Sequence, residues 1–222
     1  MKIPDDKKVL SSSLLGTGSI ESKQSQPKSL EEFVNYWQGL GYKVEQYGER
    51  PNLIIFGEDH SKKKAQRPVQ SQFIRFIDPQ FILHEFLNGF IYNPHTGNLE
   101  KQNNRKFART ELLMGAHPPS ILKELSQELG FKMVGCDLTE QELDNVTRKL
   151  DPRGRKMLSN YSDEVQPYRD DQMVKTIKQY RKDATSENPV ICILGNNHIK
   201  QIHNLRTLQD SEQGYLYVSQ LT

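Results

Sequence analysis

No stretch of this chain approaches the roughly 20 consecutive apolar residues that a membrane-spanning helix requires. A helical membrane protein is therefore not expected. Cysteine is scarce: Cys136 and Cys192 are the two in the chain. Both fall in apolar strand-like runs, where small buried thiols are the default, although the two could be neighbours in space. A reduced, cytoplasmic protein follows as an expectation. An excess of one charge is also missing. Thirty Lys and Arg against 28 Asp and Glu leave a formal +2, which argues against nucleic acid or an anionic membrane as the main partner. The N-terminal "MKIPDDKKVLSSSLLGTGSIE" holds only scraps of an apolar core, so no secretory signal is expected. The glycine-rich cradle of a P-loop is absent around Lys62, Lys63 and Lys64. That run is expected to be a solvated loop, or else a mobile positive lid that draws in an anionic substrate.

What is present is a chain of 222 residues, 35% hydrophobic and 26% charged, polar but outside the disordered range. Residues 1–28 are rich in Ser, Lys, Gln and Asp without a sustained period, and are expected to form a flexible N-terminal arm. Residues 29–222 are expected to form a single domain. Its first helix starts at Ser29, with Glu32 completing a capping-box pattern, and Leu30, Phe33, Val34, Trp37 and Leu40 share one face. "YKVEQY" reads as a strand or hairpin arm before the buried strand "NLIIFG". "VQSQFIRFI" has helical spacing, "QFILHEF" reads as a second strand, and about 86–119 as a loop-helix insertion. The helix "PSILKELSQELG", the strand "FKMVGCD" and the helix "TEQELDNVTRKL" follow. "YRDDQMVKTIKQYRKDA" is a further helix, "NPVICILGNNH" a fourth strand and "GYLYVSQ" a final one. Strands alternating with helices predict an α/β fold with a mostly parallel central sheet flanked by helices.

In such sheets, ligands bind outside the carboxyl ends of the strands. The four buried strands exit into Glu58-Asp59-His60, His84-Glu85, Cys136-Asp137 and Asn196-Asn197-His198. The first and fourth share Gly-x-x-His, in which glycine permits a sharp turn and the histidine swings back over the sheet edge. Two neutral imidazoles, His60 and His198, with a neighbouring carboxylate such as Glu85, suit a divalent ion that acidifies a bound water. Without a metal, the same groups suit general-base activation of water, the carboxylate orienting the ring.

These motifs carry a resemblance. "LIIFGEDH", "PQFILHEF", "FKMVGCDLTEQELDNVTRKL", "YRDDQMVKTI" and "VICILGNNHIK" occur in the order found in the TraB/PrgY–Tiki superfamily. Distant relatives of that superfamily include erythromycin esterases and ChaN-like haem-binding lipoproteins. The chain resembles it over about residues 51–203. The resemblance implies an erythromycin esterase- or ChaN-like α/β fold, with His60, Glu85, Arg169 and His198 at the site and Asp137 beside them. It implies a metal-assisted hydrolase of peptide or ester bonds, with Mn, Co or Zn as the divalent metal. The substrate would be a small molecule or a peptide, and the assembly could be a homodimer. A non-catalytic protein using the same pocket for a small ligand, a haem-like cofactor or a peptide is the alternative.

Each residue also has a plainer reading. Arg169 opens a helix, an unfavourable place for a cation, so either a salt bridge or a substrate contact should hold it there. Asp137 could cap the following helix. Turn chemistry alone would account for Glu58, a candidate catalytic carboxylate, and for Asp59. His84, expected on the strand face opposite Glu85, reads as a packing histidine.

Overall fold

Apolar runs and amphipathic stretches alternate, and they fold into an α/β sandwich whose helices cover both faces of one mixed sheet. The computed structural model describes residues 27, 29–49, 51–59, 63–114, 117–154, 158–159, 162–204, 208 and 214–220. The expected N-terminal arm therefore lies, Pro27 aside, outside the described residues. The elements are α1 (Leu30–Gly39), β1 (Tyr42–Tyr47), β2 (Pro51–Glu58), α2 (Lys63–Ile77), β3 (Phe81–His84) and a 3-10 turn (Glu85–Leu87). Next come β4 (Phe90–Tyr92), β5 (Leu99–Lys101), α3 (Arg109–Met114), α4 (Ser120–Leu129), β6 (Lys132–Gly135) and α5 (Glu140–Leu150). The chain closes with α6 (Gln166–Arg181), β7 (Val190–Gly195), α7 (Asn196–Asn204) and β8 (Gly214–Gln220).

Among the described residues the sheet has eight strands in the order β1-β8-β2-β7-β3-β6-β4-β5. The central run from β8 to β6 is parallel, while β1, β4 and β5 pair antiparallel at the two edges. Alternation along the strands divides the core. Ile54, Phe56, Ile82, Ile191 and Ile193 meet α1, α2 and α4 on one face. Leu53, Ile55, Leu83, Cys192 and Leu194 meet α6 and α7 on the other. On the first face Trp37 lies 4.7 Å from Phe73 and 5.3 Å from Phe56 between ring centroids. Each such buried aromatic contributes about 1.5–3 kcal/mol by leaving water.

The caps form where the sequence places them. Ser29 Oγ accepts from Glu32 N–H, and Thr139 with Glu142 closes a full capping box. Several boundaries differ from expectation. β1 does not form a hairpin with β2, because β8 is inserted between them and pairs with both. The region expected as a loop-helix insertion adds the short strands β4 and β5 to the sheet. Lys63 and Lys64, expected in a loop, open α2. β3 ends at His84, so Glu85 belongs to the following 3-10 turn and strand alternation does not govern it. His84 is buried, with Nδ1 accepting from Phe86 N–H, and so holds that turn.

The consequence for function is positional. The parallel strands β2, β7, β3 and β6 are adjacent in that order, so their carboxyl ends open on one edge of the sheet. Register keeps them nearly level: Glu58 pairs with Gly195, and His84 with both Ile193 and Gly135.

Candidate functional site

A cleft of about 630 Å³ opens along this edge. Glu58 and Asp59 reach it from β2, Glu85 from the turn after β3, Asp137 from the end of β6, and His198 from α7. Gln166 and Arg169 enter from the first turn of α6. A smaller cavity of about 270 Å³ lies among Pro79, Phe81, Tyr180 and Pro189, near the amino ends of β3 and β7. It brings one carboxylate, Asp183, and no histidine, so the larger cleft holds the chemistry.

His198 is the centre of the cleft. It lies in the first turn of α7, a helix that the Gly-x-x-His spacing did not reveal. The residue is 6% exposed, with Nδ1 2.7 Å from Asp170 Oδ1. Nε2 faces Glu85 Oε2 at 3.7 Å, too long for a direct hydrogen bond. The Gln166 amide nitrogen is 2.6 Å from Nδ1 and 3.4 Å from Nε2. A partner in line with Nδ1 would stand away from Nε2 by nearly the full ring width. The amide therefore lies over the face of the imidazole and not in line with Nδ1.

Glu85 is buried, and its Oε2 accepts from Gly195 N–H at 2.8 Å. That bond crosses from the β3 turn to the last residue of β7. It holds the carboxylate against the start of α7, so Glu85 and His198 are fixed to the same strand-to-helix junction.

Asp137, Arg169 and Glu58 of the cleft are held in ion pairs. Arg169 donates from Nε to Asp137 Oδ2 at 3.0 Å and Oδ1 at 3.2 Å, and Nη2 also bonds Oδ2. Asp137 Oδ1 accepts from Leu138 N–H at 2.6 Å as well. The salt bridge expected for Arg169 is present, and the residue also lines the cleft. Glu58 is buried and accepts from Arg67 Nε at 3.2 Å. Asp59 N–H donates to Gln66 Oε1 at 3.0 Å, tying the end of β2 to α2.

Gly57 is needed for a close approach. A Cβ there would fall 2.3 Å from Asn196 Oδ1 and 3.2 Å from the Tyr217 ring. The missing side chain is the space in which the first residue of α7 lies against β2.

Side-chain nucleophiles are not prominent. Burial pushes the Cys136 thiol well above its ordinary range, reinforced by a hydrogen bond with Cys192, so it is an inert core thiol. Among the described residues, no Ser, Thr or Cys lines the cleft.

The structure thus brings together Glu58, Glu85, Asp137, Arg169 and His198. His60 lies outside the described residues. Sequence reasoning missed Asp170 and Gln166, which touch the His198 ring. Asp170 sits in the quoted run "YRDDQMV" beside Arg169, but nothing in that run separates it from an ordinary acidic residue at a helix start.

Among the described residues, no group of three or more His, Cys, Asp and Glu is arranged to hold a metal ion. His198 Nε2 and Glu85 Oε2, 3.7 Å apart, lie within the span of two ligands at about 2.0–2.2 Å from one ion. The spacing of this pair suits two ligands of one divalent cation, and no third such donor joins them among the described residues.

No helix among the described residues is long and apolar enough to cross a membrane. No family model matches the chain, and comparison with curated proteins and with solved structures gives no match.

Proposed function

We propose that this chain is a hydrolase of peptide or ester bonds that activates water between His198 and Glu85. The observation that carries the reading is the facing of Nε2 and Oε2 across 3.7 Å at the floor of the cleft. Two acceptors at that separation suit one shared donor, and a water can donate a proton to each. The lack of a Ser, Thr or Cys among the described lining residues also favours water over a covalent nucleophile.

In this scheme the water oxygen attacks the carbonyl carbon and its proton passes to His198 Nε2. Collapse of the tetrahedral intermediate breaks the C–O or C–N bond, and His198 returns the proton to the leaving group. The amino end of α7 opens on the cleft, so its positive dipole end favours the developing oxyanion.

The resemblance to the TraB/PrgY–Tiki superfamily and its erythromycin esterase- and ChaN-like relatives points the same way. A divalent ion, where bound, would be held by His198, Glu85 and His60, and would supply Lewis acidity at the water.

The test is a panel of ester and peptide substrates with Mn, Co or Zn added. Turnover that falls by about 100-fold or more in both His198→Ala and Glu85→Gln is expected. Silence across the panel, with tight binding of a small ligand or haem, would make the chain a binding protein instead.

A further inference from the structure

We infer that Asp170 is the positioning residue of His198: it fixes the ring in the Nδ1–H form and so turns the Nε2 lone pair into the cleft. The inference deepens the hydrolase reading and rests on it for its catalytic meaning, but its geometry stands apart.

Three observations carry it. First, the contact is short, 2.7 Å from Asp170 Oδ1 to Nδ1. An ionised Asp170 oxygen can only accept, and that assigns the proton to Nδ1. Second, Asp170 is 2% exposed, and among the described residues no Lys or Arg pairs with it and its Oδ2 has no hydrogen-bond partner. A buried carboxylate with so few partners is costly, and the His198 bond is its main compensation. Third, the Gln166 amide nitrogen is a donor that would need a bare Nδ1, and it does not approach along the line of an Nδ1 lone pair. It lies over the ring and 3.4 Å from Asp170 Oδ1, so amide and carboxylate approach Nδ1 from nearly perpendicular directions.

The two ring nitrogens are distinct, and the bond made by one decides what the other offers. With Nδ1–H donated to Asp170, Nε2 is left as an acceptor toward Glu85 and whatever lies between them. Gln166 and Asp170 are one turn apart on α6 and grip the ring from its face and its edge. Neither need touch substrate.

Nitrogen NMR on the full chain with ¹⁵N-labelled histidine reads this directly, without a substrate. The His198 ring is assigned by its loss in His198→Gln, at a pH about two units above the ordinary histidine pKa of about 6.5. The expected wild-type pattern is Nδ1 protonated and Nε2 bare. In Asp170→Asn the Nδ1–H signal should be lost or fall to a minor fraction, while Asp171→Asn, altering an exposed neighbour, leaves it in place. A wild-type ring protonated at Nε2 overturns the inference even if Asp170→Asn fails to fold. So does an Asp170→Asn protein that keeps the full Nδ1–H signal. Because the readout is the tautomer, a chain without hydrolase activity can still pass this test, and the two failures remain distinct.

Discussion

Arg169 and Asp137 close a forked ion pair beneath the cleft, with Nε bonding both carboxylate oxygens at 3.0 and 3.2 Å. Both side chains are largely buried. The pair explains how a cation is tolerated in the first turn of α6, where the helix dipole opposes it. The pair uses Nε and Nη2 of the guanidinium and ties α6 to the segment after β6.

Removing one partner strands a buried charge. Arg169→Ala and Asp137→Asn are each expected to cost about 3–5 kcal/mol, read by urea unfolding. Arg169→Lys separates the two roles of the cation. Lysine keeps the charge but cannot make the fork, so it should still lose stability. A lysine variant as stable as wild type would show that the fork does not carry the stability.

Gly57→Ala should injure function more than folding. The strand backbone accepts alanine, but its Cβ would meet Asn196 Oδ1 at 2.3 Å. Asn196 must move, and it shares the first turn of α7 with His198. A stability loss of about 1 kcal/mol is expected from the crowding, with turnover on whichever substrate the panel identifies falling about 10- to 100-fold through misplacement of His198. Thermal unfolding and turnover measured on the same preparation check the pair of numbers. Unchanged turnover would mean the α7 start does not position the reactive ring.

Glu142 and Glu111 should show opposite pH signatures. Burial works against the Glu142 carboxylate, but hydrogen bonds from Arg105 and from Thr139 N–H outweigh it and lower its pKa from 4.5. Its stabilisation is present above the unfolded pKa and is lost as pH falls through the folded one. For Glu111, burial dominates over the N–H bonds from Glu140 and Ala108 and raises the pKa. Its contribution is full below the unfolded pKa and is lost as pH rises through the folded one. Near neutral pH, Glu142→Gln should therefore cost about 1–3 kcal/mol, a gap that closes on acidification. Measured against wild type, Glu111→Gln should instead gain from acidic to neutral pH. Chemical denaturation across that range checks both signs.

The strand ends were legible because a parallel sheet makes them so. Buried strands such as "NLIIFG" and "VICILG" are continuous apolar runs, and the polar residues after them must gather at one edge. That logic placed Glu58, Glu85, Asp137 and His198 together correctly. It failed where structure depends on distant pairing. β8 lies between β1 and β2, a placement fixed by partners far away in the chain. β4 and β5, at three residues each, are too short to show a period. Asp170 meets His198 across 28 positions of sequence, and its neighbour Asp171 looks identical by composition yet points to solvent. Helix phase decides between them, and a one-residue error in the start of α6 would exchange their roles.

The relation between His198 Nε2 and Glu85 Oε2 is tested most directly by high-resolution crystallography of the purified protein, reading the density between the two atoms. The predicted result is one bound oxygen or cation within about 2.0–3.2 Å of both. A ring whose Nε2 is hydrogen-bonded to another protein group, or a Glu85 carboxylate turned out of the cleft, would contradict it.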